Sequence, residues 1–111
     1  MELRKTEYPD TLVITVEAPR IDAAAAIRFK DLMREYCASA PARIILDLAQ
    51  VDFVDSSGLG AIVASMKQLS EGQVLELATL SPTVEKVFRL TRMDTVFRIH
   101  EDAGSALQAR H

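Results

Sequence analysis

The run Ile44-Ile45-Leu46 constrains the fold most, because it places apolar side chains at successive positions instead of at every second one. A strand with one wet face alternates, whereas a strand that is apolar on both sides is covered on both sides, as in a sheet with helices packed on it. The run therefore reads as the central strand of a helix-covered sheet.

The segments around it alternate in kind. From Thr11 to Glu17, Leu12, Ile14 and Val16 share one face and Thr15 and Glu17 the other, which is a strand signal closed by Pro19. Asp22 stands as an N-cap ahead of Ala23 to Ala26, a stretch of the highest helix propensity. The helix it opens carries Ile27, Phe29, Leu32, Met33 and Tyr36 near the 3.6 period and ends at Ser39 to Pro41. After the central strand, Leu59, Ile62, Val63, Met66 and Leu69 recur at helical spacing until Gly72. Val74 to Leu80 reads as a strand, apolar on both sets of positions. Ser81-Pro82 opens a third helix, with proline at the first helical position, where its missing N–H costs nothing. A short strand near Val96 to Ile99 and a helix over about Asp102 to Ala109 complete the order. This alternation predicts an α/β sandwich with a mostly parallel sheet of four to five strands, right-handed crossovers and about four helices. A chain of 111 residues is expected to form one domain, 1–111.

Charge and composition exclude several functions. Sixteen acidic against thirteen basic residues give a net charge of -3, which opposes nonspecific attraction to phosphate backbones, so no direct nucleic-acid partner is expected. The longest uncharged stretch, Ser56 to Met66, falls far short of the roughly 20 apolar residues that span a bilayer, and no membrane insertion is expected. The start Met1-Glu2-Leu3-Arg4-Lys5 lacks the apolar region of a signal peptide, so a cytoplasmic location is expected. A single Cys37 and two histidines, His100 and His111, supply neither a disulfide nor metal-ligand spacing. No metal or other cofactor is expected. Cys37 reads as a small buried side chain, and Arg89, Arg92 and Arg98 as a solvated basic face.

The informative stretch is Asp52-Phe53-Val54-Asp55-Ser56-Ser57-Gly58-Leu59-Gly60, a strand-to-helix junction that is acidic first and then places two hydroxyls ahead of two glycines. Asp55 or Ser56 can cap the helix. Capping leaves the glycines unexplained, since each costs up to about 1 kcal/mol relative to alanine inside a helix. They require tight packing on the sheet, close approach from outside, or both. Catalytic readings of the same residues fail. Val54 and Asp55 stand where the first glycine of a nucleophile elbow would precede Ser56 or Ser57. A triad would have to draw on His100 or His111. Gly58-Leu59-Gly60 meets Val63 where a dinucleotide loop continues to a third glycine, and no P-loop lysine follows. The chain is expected not to be an enzyme.

Val51 through Gly60 and the helix after it resemble STAS domains, and among them the small anti-sigma factor antagonists of bacteria. The resemblance extends to Arg20-Ile21-Asp22 before the first helix, Ile44-Ile45-Leu46-Asp47-Leu48, and Ser81-Pro82 with Phe88 and Leu90. It implies a STAS-like sandwich. The chain departs from the family at Pro19, where a glycine is frequent. The resemblance implies that the serine after the aspartate, Ser56, is phosphorylated by an anti-sigma factor that is itself an ATP-dependent serine kinase, with Ser57 the lesser acceptor. It implies that the unmodified form binds that kinase through Asp22, Asp55, Ser56, Ser57, Gly58 and Leu59 and frees a sigma factor, and that a metal-dependent serine phosphatase resets the modified form. STAS domains also serve as regulatory subunits of membrane transport assemblies, including lipid-transport ATPases, and in stress-signalling scaffolds; these are the alternative roles.

Overall fold

A computed structural model of the chain describes residues 1–109. The elements run β1 (Leu3–Glu7), β2 (Thr11–Val16), β3 (Arg20–Ile21), α1 (Ala23–Cys37), β4 (Arg43–Asp47), β5 (Phe53–Val54), α2 (Ser56–Lys67), β6 (Val74–Ala78), α3 (Pro82–Leu90), a 3-10 turn (Met93–Thr95), β7 (Ile99–His100) and α4 (Ala103–Gln108). Five strands form one sheet in the order β1-β2-β4-β6-β7, while β3 and β5 form a separate two-stranded ribbon. The fold is α/β and the large sheet is parallel except for β1, which pairs antiparallel with β2.

The continuous apolar run of β4 lies mid-sheet, and its three side chains are wholly buried on two faces. Ile44 and Leu46 join Leu12, Ile14, Val16, Leu75 and Leu77 beneath Phe29, Leu32 and Met33 of α1, Ala61 and Ile62 of α2, and Val84 and Phe88 of α3. Ile45 points the other way, with Val13 and Ala78, against Ala106 of α4. One face thus carries three helices and the other a single short one.

Several expectations need correction. The alternation read in Thr11 to Glu17 is right for the side-chain faces, but all of Thr11–Val16 is buried, and on the second face Val13 packs in one cluster with Ala106 of α4. The strand β1 is absent from the reading because Leu3 is its only buried residue; charged, exposed positions suit an edge strand. Ile27 is 70% exposed, since it lies two residues, or about 200° of helical turn, from Phe29 at the centre of the buried stripe. In α2 the buried line runs through Gly58, Ala61, Ile62 and Ser65, while Leu59, Val63 and Met66 are only partly covered, and the helix ends at Lys67, before Leu69 and Gly72. The last strand is Ile99–His100, because Phe97 tucks into the main core and Val96 stays exposed.

Beneath α4, charge enters the interior. Arg43 Nη2 donates to Glu76 Oε1 at 2.8 Å, and His100 Nε2 lies 2.7 Å from the same oxygen. Arg43 also donates to the carbonyl of Ala106, which ties α4 to the sheet.

Candidate functional site

The ribbon of β3 and β5 positions the junction. Its parallel register sets Arg20 beside Phe53 and Ile21 beside Val54. Each strand then passes into an aspartate and a helix: Ile21-Asp22-Ala23 enters α1, and Val54-Asp55-Ser56 enters α2. Two helix N-termini therefore stand side by side. The carbonyl of Pro19 receives the amides of Asp52 and Phe53 at 2.7 and 3.2 Å, so the proline opens the ribbon through its acceptor and gives up no donor.

Both aspartates are N-caps. Asp22 Oδ1 accepts from the amide of Ala25 at 3.2 Å, and Asp55 Oδ1 accepts from the amide of Gly58 at 2.8 Å. The second oxygen of Asp55 accepts from the amide of Ala23 at 3.3 Å, so one carboxylate satisfies donors at the starts of both helices. The cap of α2 is thus Asp55, and Ser56 is the first helical residue. Ser56 and Ser57 are exposed, and Asp22, Asp55 and Leu59 are half-buried.

The two glycines have different reasons. A Cβ on Gly58 would lie 1.9 Å from the carbonyl oxygen of Ile21, so the first turn of α2 presses directly on the ribbon backbone. Gly58 is buried and shapes the turn without offering contact surface. Around Gly60 the space within 4 Å of a Cβ is open, so nothing in the fold asks for a glycine there.

Sequence reasoning missed the cation of the site. Arg20 Nε lies 3.3 Å from Asp22 Oδ2, and its guanidinium carbon stands 4.4 Å from the centre of the Phe53 ring. The arginine sits in the quoted turn, but its partner ring is 33 positions away, and only the ribbon joins them. His100 is bonded to Glu76 under α4, on the face of the sheet opposite α2, and so lies away from the serine hydroxyls; His111 lies outside the described residues. Among the described residues no cluster of His, Cys, Asp or Glu could hold a metal ion, and no helix is long and apolar enough to cross a membrane. Arg89, Arg92 and Arg98 are exposed, with Arg89 paired to Glu85 at 3.5 Å.

A mostly parallel sheet with two acid-capped helix starts set side by side, and exposed hydroxyls at one of them, defines an α/β domain that presents a serine at its surface. The STAS domain family matches residues 2–106, and the chain belongs to that family. An anti-sigma-B factor antagonist of Listeria monocytogenes is 30% identical over 102 residues, covering 91% of this chain and 86% of that protein. In structure, an anti-sigma factor antagonist from Mycobacterium paratuberculosis superposes with a TM-score of 0.86 at 21% identity, covering 96% of this chain and 91% of that one. The anti-sigma factor antagonist SpoIIAA in its unphosphorylated form gives a TM-score of 0.77 at 23% identity, covering 96% and 94%; the Bacillus protein has also been solved in a phosphorylated form. At these identities the two structures establish the fold.

Proposed function

We propose that this chain, as a single STAS domain, is a cytoplasmic anti-sigma factor antagonist in a partner-switching pathway. Unmodified, it binds an anti-sigma factor that is also an ATP-dependent serine kinase and thereby releases a sigma factor. Phosphorylation of Ser56 ends the binding, and a serine phosphatase restores it. The observation that carries this reading is the exposed Ser56 directly after a carboxylate that caps two helices. The family membership and the relatives' names support it. Asp22, Asp55, Ser57 and Leu59 form the docking surface around that hydroxyl, and Gly58 holds its shape.

A phosphate there acts with opposite signs on fold and on binding. It adds about 1.5 to 2 negative charges at pH 7. Toward the fold, the N-terminal amides and helix dipoles offset this charge by about 0.3–1 kcal/mol, so the domain tolerates it. In a docked interface, two charges against one at about 5 Å and an effective dielectric near 20 cost roughly 6 to 7 kcal/mol before screening. A third of that weakens binding more than tenfold, since each 1.4 kcal/mol is about a factor of ten.

The test begins by identifying which protein the unmodified chain retains and purifying it. With ATP, that kinase is expected to place phosphate on Ser56, mapped by mass spectrometry, and Ser56→Asp is expected to bind it at least tenfold more weakly than Ser56→Ala. Phosphate confined to another residue, equal affinities, or retention of a transport ATPase in place of a kinase would each defeat the proposal.

A further inference from the structure

We propose that Arg20 is the counter-ion of the phosphate on Ser56, exchanging its partner Asp22 for the modified serine; this rests on Ser56 being the phosphoacceptor. The geometry prepares the exchange in three ways. The hold of Asp22 on Arg20 is weak: the contact is a 3.3 Å pair in which the arginine side chain is 58% exposed, and surface pairs of this kind contribute little. Giving it up leaves α1 capped, because Arg20 uses Oδ2 of Asp22 whereas the amide of Ala25 uses Oδ1. The Phe53 ring, 4.4 Å from the guanidinium carbon, supplies a platform that keeps the cation at the ribbon when Asp22 lets go.

The ribbon then brings donor and acceptor together. Arg20 lies beside Phe53, and the amide of Ala23 reaches the carboxylate of Asp55, so the Arg20-Asp22 stretch abuts the Asp55-Ser56 stretch. A phosphate on Ser56 directly follows the Asp55 carboxylate in the chain, and the cation that the ribbon holds against the neighbouring helix start, on Asp22, is Arg20. A guanidinium matches phosphate oxygens in a bidentate fork, and charge-assisted bonds to a dianion outweigh a single exposed contact to a carboxylate. The swap offsets part of the added charge within the domain, so the modified chain stays folded while its outward charge still opposes docking.

The experiment installs phosphoserine at position 56 during translation, without any kinase, in the full chain and in Arg20→Gln, Arg20→Lys and Arg28→Gln. The second ionisation of the phosphate is followed by phosphorus NMR. With Arg20 present its pKa, near 6 for a free phosphoserine, is expected to fall at least about 0.5 pH unit below that in Arg20→Gln. Arg20→Lys is expected in between, and Arg28→Gln, which removes an exposed cation of α1, is expected to match the parent. The Arg20 Nε–H resonance is expected to move with the same titration. Equal pKa values in the parent and Arg20→Gln, both shown to be folded by circular dichroism, overturn the proposal, as does an equal change in Arg28→Gln. Because the phosphate is installed without a kinase, failure of the partner-switching reading would show as unimpeded docking or phosphate elsewhere, and would leave this titration untouched.

Discussion

Replacing Gly58 by alanine should destabilise the protein, although the same exchange one residue beyond Leu59 should stabilise it. Both glycines lie in the first turns of α2, so each gains the same intrinsic helix propensity on becoming alanine, about 0.5–1 kcal/mol. At Gly60 nothing opposes that gain. At Gly58 the new methyl would meet the Ile21 carbonyl oxygen at 1.9 Å and its carbon at 2.7 Å, against an ordinary carbon–oxygen contact of roughly 3.3 Å. Backbone cannot rotate out of the way as a side chain does, so α2 and the ribbon must separate by more than about 1 Å. That displacement loosens Ile21, which is fully buried, and the 3.3 Å bonds from the amide of Asp55 to Ile21 and from the amide of Ala23 to Asp55. Overpacking costs about 1–3 kcal/mol and a lost hydrogen bond about 1 kcal/mol, so Gly58→Ala should lose about 1–3 kcal/mol net. With a urea m-value near 1.5 kcal/mol per M, the midpoint should fall by about 1 M in Gly58→Ala and rise by about 0.5 M in Gly60→Ala. If the two variants shift together, the close approach of α2 to Ile21 does not constrain Gly58 and this account of the junction is wrong.

Two further predictions concern the interior. Arg43→Met should cost about 3 kcal/mol, since it strips the buried Glu76 carboxylate of its guanidinium, while the double change Arg43→Met with Glu76→Leu should recover only part of that loss, because His100 and the carbonyl of Ala106 then lose these partners; denaturant unfolding of the single and double variants measures both, and a neutral single variant would contradict it. Burial pushes the Cys37 thiol from an ordinary 9.0 up to about 11, so the folded chain keeps a proton that the unfolded chain releases. Its contribution is fully present below about pH 9 and is lost as pH rises toward 11; relative to Cys37→Ala the parent should lose stability across that interval, and iodoacetamide at pH 8 should modify the unfolded chain but not the native one. Equal alkylation rates would show that the thiol is accessible.

The periodicities of single segments were legible because they report which side of each element is covered. Three successive apolar side chains announced the central strand, and Asp22 and Ser81 announced helix starts, through chemistry carried out within four residues of chain. The acidic, serine-bearing junction was legible for the same reason, and with it the resemblance to STAS domains. Ambiguities arose wherever the answer lay in another segment. Asp55 takes the α2 cap locally, through the amide of Gly58, but its second bond, from the amide of Ala23 at the start of α1, depends on a segment 32 residues away. The two glycines were alike until one proved to face the carbonyl of Ile21 and the other open space.

What the order of residues determined alone was local: which stretches turn into strands and helices, where the helices begin, and that a hydroxyl follows an acid at one such start. What only tertiary structure decided was adjacency. Arg20-Ile21 and Phe53-Val54 are two-residue strands with no periodicity of their own, and they acquire meaning when they pair and bring two helix starts together. Arg43, Glu76 and His100 are unremarkable one at a time and become a buried charged cluster because β4, β6 and β7 are neighbours. The physical reason is range. Backbone propensity and capping act over a few residues along the chain, whereas burial, charge pairing and close backbone contact depend on distances in space, which are set only once the sheet has closed.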